Sequence, residues 1–251
     1  MTRRTAPAAR PAHLPPVKRI GHKGADTVAP GNTLASFEAA LAAGVDMIEF
    51  DVLRRRDRRL VLAHDYGEAA RRPSVTLEEG LDHFAGEAYA GVELDVDLKL
   101  PGYEREVVAA LQERGLAGRT LVSTMHIESL DAVARLSPEI RRGWTVPKVR
   151  RDYTRTVFAP GALLLLMAFR AALPARAAAA LRAGRCHALM AHWRLITPRL
   201  VAAVRRNGGE LYVWTVDDPD RIAQLVALGL DGVITNDPRL FGPAASPTEV
   251  A

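Results

Sequence analysis

Eight short apolar runs, centred near residues 18, 48, 95, 121, 144, 189, 212 and 233, alternate along the chain with segments of helical spacing. Such alternation commits a chain to a parallel sheet, because a parallel neighbour is reached only through a crossover long enough to hold a helix. The helical segments carry start and stop signals. Thr33 to Ala43 sets Phe37, Ala40 and Leu41 on one side, with Asn32 or Thr33 as cap and Gly44 as stop. Val75 to Phe84 opens on Thr76 with Glu79 three residues on, the spacing of a capping box. Pro101 is expected to start a helix that runs to Arg114 and halts at Gly115. Ile127 to Leu136, 159 to 182 divided at Pro174, Pro198 to Arg206 and Pro219 to Leu228 complete the set. The order predicts an α/β fold, a (β/α)8 TIM barrel forming a single domain over residues 17–241. A doubly wound sheet is the alternative, weakened because no glycine fingerprint for a dinucleotide or a P-loop follows any strand.

At 251 residues the chain is long enough for one such barrel, and 48% hydrophobic with 25% charged residues is an ordinary globular balance. The net charge is +5 with both signs mixed along most of the chain, which gives no nucleic-acid tail. A basic surface suits a phosphate-bearing substrate without naming one. The single cysteine, Cys186, excludes an internal disulfide and any Cys/His zinc spacing, and is expected in the core. Residues 1–16, basic and rich in Pro and Ala, lack the apolar run of a signal peptide and read as a flexible leader. Residues 242–251 read as a flexible tail, and the expected location is cytoplasmic. The most apolar stretch, 162 to 173, is too short to span a bilayer and is interrupted by Arg170, so no transmembrane segment is expected. It reads as a buried or groove-lining helix, with transient lipid contact as the alternative.

Ile48-Glu49-Phe50-Asp51-Val52 sets two carboxylates on one side of a strand and three apolar residues on the other. Either that face is wet, or it supplies metal ligands at the end of an inner strand. In a barrel the ends of all strands converge on one face. His22 and Lys23, Glu49 and Asp51, His64, Asp95, Asp97 and Lys99, Trp214, and Thr235-Asn236-Asp237 all stand at such ends. Glu49, Asp51 and Asp97 are three hard oxygen donors suited to Mg²⁺ or Ca²⁺. His22 and His64 are suited to proton transfer. Lys23 and Lys99 would hold phosphate or simply pair with carboxylates, and Asp95 would face inward as a supporting group.

The segment Gly21 to Asp65, GHKGADTVAPGNTLASFEAALAAGVDMIEFDVLRRRDRRLVLAHD, resembles the opening of the glycerophosphodiester phosphodiesterase family. There HRG is followed by PENT, a helix, a glycine, ExD and finally HD. DLK at Asp97 to Lys99 is similar to the family's ExK, and YVWTVDDP and DGVITNDP are similar to its last two strands. The resemblance covers about residues 18 to 241. It implies a barrel enzyme that hydrolyses a glycerophosphodiester to an alcohol and glycerol 3-phosphate. It also implies His22 and His64 as the acid–base pair, and one divalent cation, Mg²⁺ or Ca²⁺, on Glu49, Asp51 and Asp97. Lys99 and Lys23 would contact phosphate, and Trp214 would line the pocket. On the residues alone Trp214 reads as a core aromatic at a barrel rim.

Four departures stand out. Lys23 replaces the arginine of HRG, Gly31 replaces the glutamate of PENT, and Asp97 replaces a longer glutamate. His64 and Asp97 are only 33 positions apart, so most of the family's usual inserted segment is missing and only one helix is expected there. A more open mouth would admit a lysophospholipid, with 162 to 173 as its acyl-side wall. Asp97 followed by Lys99 also resembles the spider-type phospholipase D enzymes, which release cyclic phosphate. A lyase of that kind, and a non-catalytic phosphodiester-binding barrel, are therefore the alternative readings.

Overall fold

The computed structural model describes residues 17–147 and 159–242. The leader 1–16 and all of the tail except Gly242 lie outside the described residues. In chain order the strands are β1 (Lys18–Gly21), β2 (Met47–Arg54), β3 (Leu60–Leu62), β4 (Glu93–Leu98), β5 (Thr120–Thr124), β6 (Arg141–Val146), β7 (Ala188–His192), β8 (Glu210–Trp214) and β9 (Gly232–Thr235). The helices are α1 (Leu34–Ala42), α2 (Tyr66–Arg71), α3 (Leu77–Phe84), α4 (Glu104–Glu113), α5 (Ile127–Leu136), α6 (Ala159–Arg182), α7 (Pro198–Arg206) and α8 (Pro219–Ala227). Eight strands run parallel in the order β1-β9-β8-β7-β6-β5-β4-β2, and pairing of β1 with β2 closes the ring. Closure leaves the ring no free edge. The (β/α)8 barrel expected from the alternation is the fold. β3 stands outside the ring, antiparallel to the far end of β2.

Strand pleat then sorts the side chains. Glu49 pairs in register with Asp95, and Asp51 with Asp97, so all four turn the same way. Phe50 turns the other way, stacked on Phe84 at 5.1 Å between ring centres and meeting Phe37 at 5.9 Å. Two large apolar clusters lie between the ring and its helices, one around Phe37, Phe50, Phe84 and Val96, the other around Leu173, Leu189, Leu200 and Val213. A smaller one, with Ile20, Met47, Leu121, Met190, Tyr212 and Ile234, fills the barrel interior. Cys186 is a buried free thiol in the second cluster, as expected. At the N-terminal end of the barrel, Glu93 accepts from Lys18 at 2.6 Å and from Arg141 at 2.8 Å. Arg141 also reaches Glu210 and the Tyr212 hydroxyl.

The capping signals hold: Thr33 caps α1 with Ser36 as its reciprocal partner, and Thr76 caps α3 with Glu79. Three expectations need correction. α4 starts at Glu104 rather than Pro101, because Gly102 turns the chain at φ +100° first. Pro174 does not divide α6; Leu173, Pro174, Ala177 and Ala178 are buried on one face, and that packing carries the helix past the missing donor. Between His64 and Asp97 there are two helices rather than one, since Asp65 caps the short α2. None of α2 is buried, so no apolar periodicity announces it. Among the described residues no helix is long and apolar enough to cross a membrane.

Candidate active site

The C-terminal ends of β1, β2, β4, β5 and β8 bring His22, Glu49, Asp95, Asp97, Lys99, Ser123 and Trp214 around one cavity of about 160 Å³, which His64 also lines. Glu49, Asp51 and Asp97 each offer a carboxylate oxygen, and these oxygens lie within 4.8 Å of one another. Each carboxylate is fixed from outside the cluster. Asn32 clamps Asp51 at two points: its amide donates to Oδ2 at 2.9 Å, and its oxygen accepts the Asp51 backbone N–H at 3.0 Å. Asn32 sits at φ +58°, a conformation that asparagine tolerates better than most residues. Glu49 accepts the backbone N–H of Lys23 at 2.8 Å. Lys99 sets its ammonium against both Asp51 and Asp97.

Four carboxylates around one lysine are a surplus of negative charge in a dry place. Burial, with Asp51 beside it, pushes Glu49 well above the usual carboxylate range. Burial also pushes Asp95 up to about 8, and its Oδ1 has no hydrogen-bond partner among the described residues. Burial alone would raise Asp51, but Lys99, both histidines and Lys23 outweigh it and hold the group below its ordinary value. Burial likewise opposes the charge on Lys99, and Asp51, Asp97 and Glu49 overcome it and raise its pKa. A hard divalent cation would relieve this repulsion, so the donor set fits Mg²⁺ or Ca²⁺.

His22 is partly buried, and its pKa is lowered, mainly by desolvation and against the pull of Asp51. Its Nδ1 lies 2.5 Å from the Asn236 side-chain oxygen. Asn236 in turn donates its amide to Asp217 Oδ2 at 2.6 Å, and its backbone N–H to Asp217 Oδ1 at 2.8 Å. Asn236 stands among the expected polar strand ends but with no role assigned, and Asp217 is not foreseen at all. The TND pattern marked the strand end, but only the adjacency of β1, β8 and β9 brings these groups to His22. His64 is different: its ring is half exposed at the cavity rim, 3.4 Å from Asp65.

Lys23 is held 3.7 Å from Asp26 and lines a neighbouring recess with Gly31, Asp65, Arg71 and Arg72. His64 borders both spaces. A β-carbon on Gly31 would come within 2.6 Å of Asp26 Oδ1, which accepts the Gly31 N–H. The loss of a glutamate at position 31 therefore does not empty this corner of acid; Asp26 fills it. Trp214 lines the cavity as expected, with its buried indole N–H unpartnered among the described residues. The described side chains of the apolar stretch do not form a wall of this cavity. None of its described side chains, 165 to 173, lines it; Leu166 and Arg170 border a separate groove, and the side chains of 162–164 lie outside those described.

Comparison with known proteins agrees with this geometry. The chain is 28% identical over 253 residues to a glycerophosphodiester phosphodiesterase of Caldanaerobacter subterraneus subsp. tengcongensis, covering 87% of this chain and 93% of that one. It is 26% identical to one of Bacillus subtilis, covering 88% and 84%. Two solved structures share the fold. One is an Oleispira antarctica phosphodiesterase in complex with the product sn-glycerol-3-phosphate, with TM-score 0.64, 24% identity and 90% and 94% coverage. The other is a glycerophosphodiester phosphodiesterase from Parabacteroides distasonis, with TM-score 0.66, 20% identity and 89% and 94% coverage. The model of the glycerophosphoryl diester phosphodiesterase family matches residues 22–76 and 67–240, the barrel from its first catalytic-face histidine to its last strand, and the chain belongs to that family of enzymes.

Proposed function

We propose that this enzyme hydrolyses a small glycerophosphodiester to an alcohol and glycerol 3-phosphate, with His22 as general base and His64 as general acid. The observation that carries the reading is the Asp217–Asn236–His22 chain. A carboxylate only accepts, so the Asn236 amide nitrogen must face Asp217 and its oxygen must face His22. An amide oxygen also only accepts, so His22 Nδ1 carries the proton. Nε2 is left with its lone pair, 3.9 Å from Glu49 on the carboxylate side. Desolvation keeps this ring neutral near pH 7, the state a base requires.

His64, exposed at the rim, stands where a leaving alkoxide would emerge and gives it a proton. Lys99, with Lys23 from the adjoining recess, stabilises charge on the phosphoryl oxygens. Glu49, Asp51 and Asp97 would hold a Mg²⁺ or Ca²⁺, which would supply Lewis-acid polarisation to a non-bridging oxygen. The proton taken by His22 comes from water, which gives glycerol 3-phosphate directly, or from the substrate's own glycerol 2-hydroxyl, whose attack gains from proximity and expels the alcohol to leave a cyclic phosphate that a water then opens to glycerol 3-phosphate. The cavity is below the ~300–1,000 Å³ of pockets that enclose drug-sized ligands, which supports a small diester.

The shorter Asp97 and the short span between His64 and Asp97 are what favour the lyase reading. Phosphorus NMR separates the two. Glycerophosphocholine and lysophosphatidylcholine are each incubated with Mg²⁺ or Ca²⁺ and with chelator. Metal-dependent glycerol phosphate from the small diester is expected. Cyclic phosphate accumulating from the lysolipid would overturn the hydrolytic reading.

A further inference from the structure

Beside the catalytic cavity lies a second space of about 390 Å³, and His64 borders both. The loop between β1 and α1 forms one side of it, and the short helix α2 the other. On the reaction proposed above, His64 protonates the leaving alkoxide, so the alcohol departs on the side where this recess opens. The recess is lined by three cations, Lys23, Arg71 and Arg72, and three carboxylates, Asp26, Asp65 and Glu68. By formal charge it is neutral, so what it offers a ligand depends on which of these groups are already in use.

The three acids are in use. Asp26 accepts the Gly31 N–H at 2.8 Å and lies 3.7 Å from the Lys23 ammonium. Asp65 caps α2, accepting the Glu68 N–H at 2.8 Å, and faces the His64 ring at 3.4 Å. Glu68 accepts the His64 backbone N–H at 2.9 Å and the Arg72 guanidinium at 2.8 Å. Arg72 also reaches the Gly31 carbonyl, so both halves of the recess are tied together. Arg71 is the exception. It lines the recess from the last turn of α2 and has no hydrogen-bond or ion-pair partner among the described residues. An exposed arginine without a partner is ordinary. One on the wall of a recess that meets the active site at a histidine is placed to read a ligand. No Phe, Tyr or Trp lines this space, so a quaternary ammonium finds no ring face there.

We propose, resting on that reaction, that this recess is the leaving-group subsite and that it selects an alcohol bearing an oxyanion, held on Arg71. A guanidinium presents a planar fork that matches a carboxylate or a phosphate at two points. A cationic head group is the poorer occupant, since every carboxylate that would receive it already holds a donor. The glycerol phosphate half stays in the catalytic cavity with Lys99, and the selected half of the diester extends past His64.

The test compares glycerophosphoserine with glycerophosphoethanolamine, whose alcohols differ by one carboxylate, and adds bis(glycerophosphoryl)glycerol, which carries a second phosphate instead. At low salt with metal present, kcat/KM should favour an oxyanion-bearing diester about tenfold, the scale of one charge-assisted hydrogen bond. Preference for the serine diester or for the bisphosphate tells carboxylate from phosphate. Arg71→Ala should bring the ratio to near one, Arg71→Glu should invert it, and Arg71→Lys should keep part of it, because the charge stays and the fork is lost. Arg71 is exposed, so these changes leave the core untouched. Equal kcat/KM for all three diesters, or a preference that survives Arg71→Ala, would overturn the subsite and leave the reaction standing. If the parent turns over none of them, the same ratio is read as Kd by calorimetry. Tighter binding that depends on Arg71 then keeps the subsite while the reaction falls, and equal or absent binding overturns both.

Discussion

The two ends of the barrel interior both hold charged side chains, and they treat them in opposite ways. At the N-terminal end Lys18 and Arg141 face Glu93 and Glu210, two cations against two anions, with the Tyr212 hydroxyl joining the set. Burial would make Arg141 easier to discharge, but Tyr212 and Glu210 reverse that and raise its pKa. At the C-terminal end Glu49, Asp51, Asp95 and Asp97 face Lys99. There burial first, and the neighbouring carboxylates after it, push Glu49 and Asp95 up, and one lysine does not offset them. A balanced network serves the fold and has nothing to gain from a ligand. A surplus carries a standing electrostatic cost that a bound cation removes. The sign of the imbalance therefore separates a structural charge cluster from a functional one in the same barrel.

The largest expected effect lies at the catalytic end. On the proposed chemistry, His22→Ala should lower kcat/KM by about 10²–10⁴-fold at saturating metal. Turnover near wild type would remove His22 from the reaction. Asn236→Ala should give a smaller loss, because it frees the ring without deleting it.

Next comes metal removal. Saturating a cation site at a hundredfold over Kd stabilises a protein by about 2.7 kcal/mol. Thermal melts with Mg²⁺ or Ca²⁺ should therefore rise relative to chelator, and Asp51→Asn should abolish the rise. A full metal response in that variant would break the assignment of the cluster.

A smaller effect sharpens the contrast between the ends. Glu93→Gln should cost about 1–2 kcal/mol, a partly exposed network being worth less than the ~3–5 kcal/mol of a fully buried pair. Glu49→Gln, melted in chelator, should cost nothing or even stabilise, because it relieves repulsion. If Glu49→Gln destabilises as much as Glu93→Gln, the surplus reading fails.

The pH profile is the mildest test. The His22 pKa lies below its ordinary 6.5, so the base stays unprotonated at neutral pH. The acid limb of kcat/KM should accordingly fall only as pH drops below that value, and a limb centred above it would place the essential base elsewhere.

Much of this was readable in the chain. The alternation of elements pointed to a parallel α/β fold, because parallel strands require helical crossovers, and eight strands favoured a barrel over a doubly wound sheet; the pairing of β1 with β2 decided it. Thr33 and Thr76 announced their helices through capping chemistry that acts within four residues. Strand parity alone put Glu49 and Asp51 on one face, and the order of polar strand ends pointed to a shared site. What the sequence could not show depends on contacts between distant segments. The clamp of Asn32 on Asp51, the fit of Asp26 against Gly31 and the run of α6 through Pro174 are set by packing, which overrides local preference. The hold of Asp217 and Asn236 on His22 spans 214 positions between ring and amide, and exists only because barrel closure puts the first strand beside the last. Composition counts charges. Only the tertiary structure decided which were balanced and which were left in surplus, because the energy of a buried charge depends on what surrounds it.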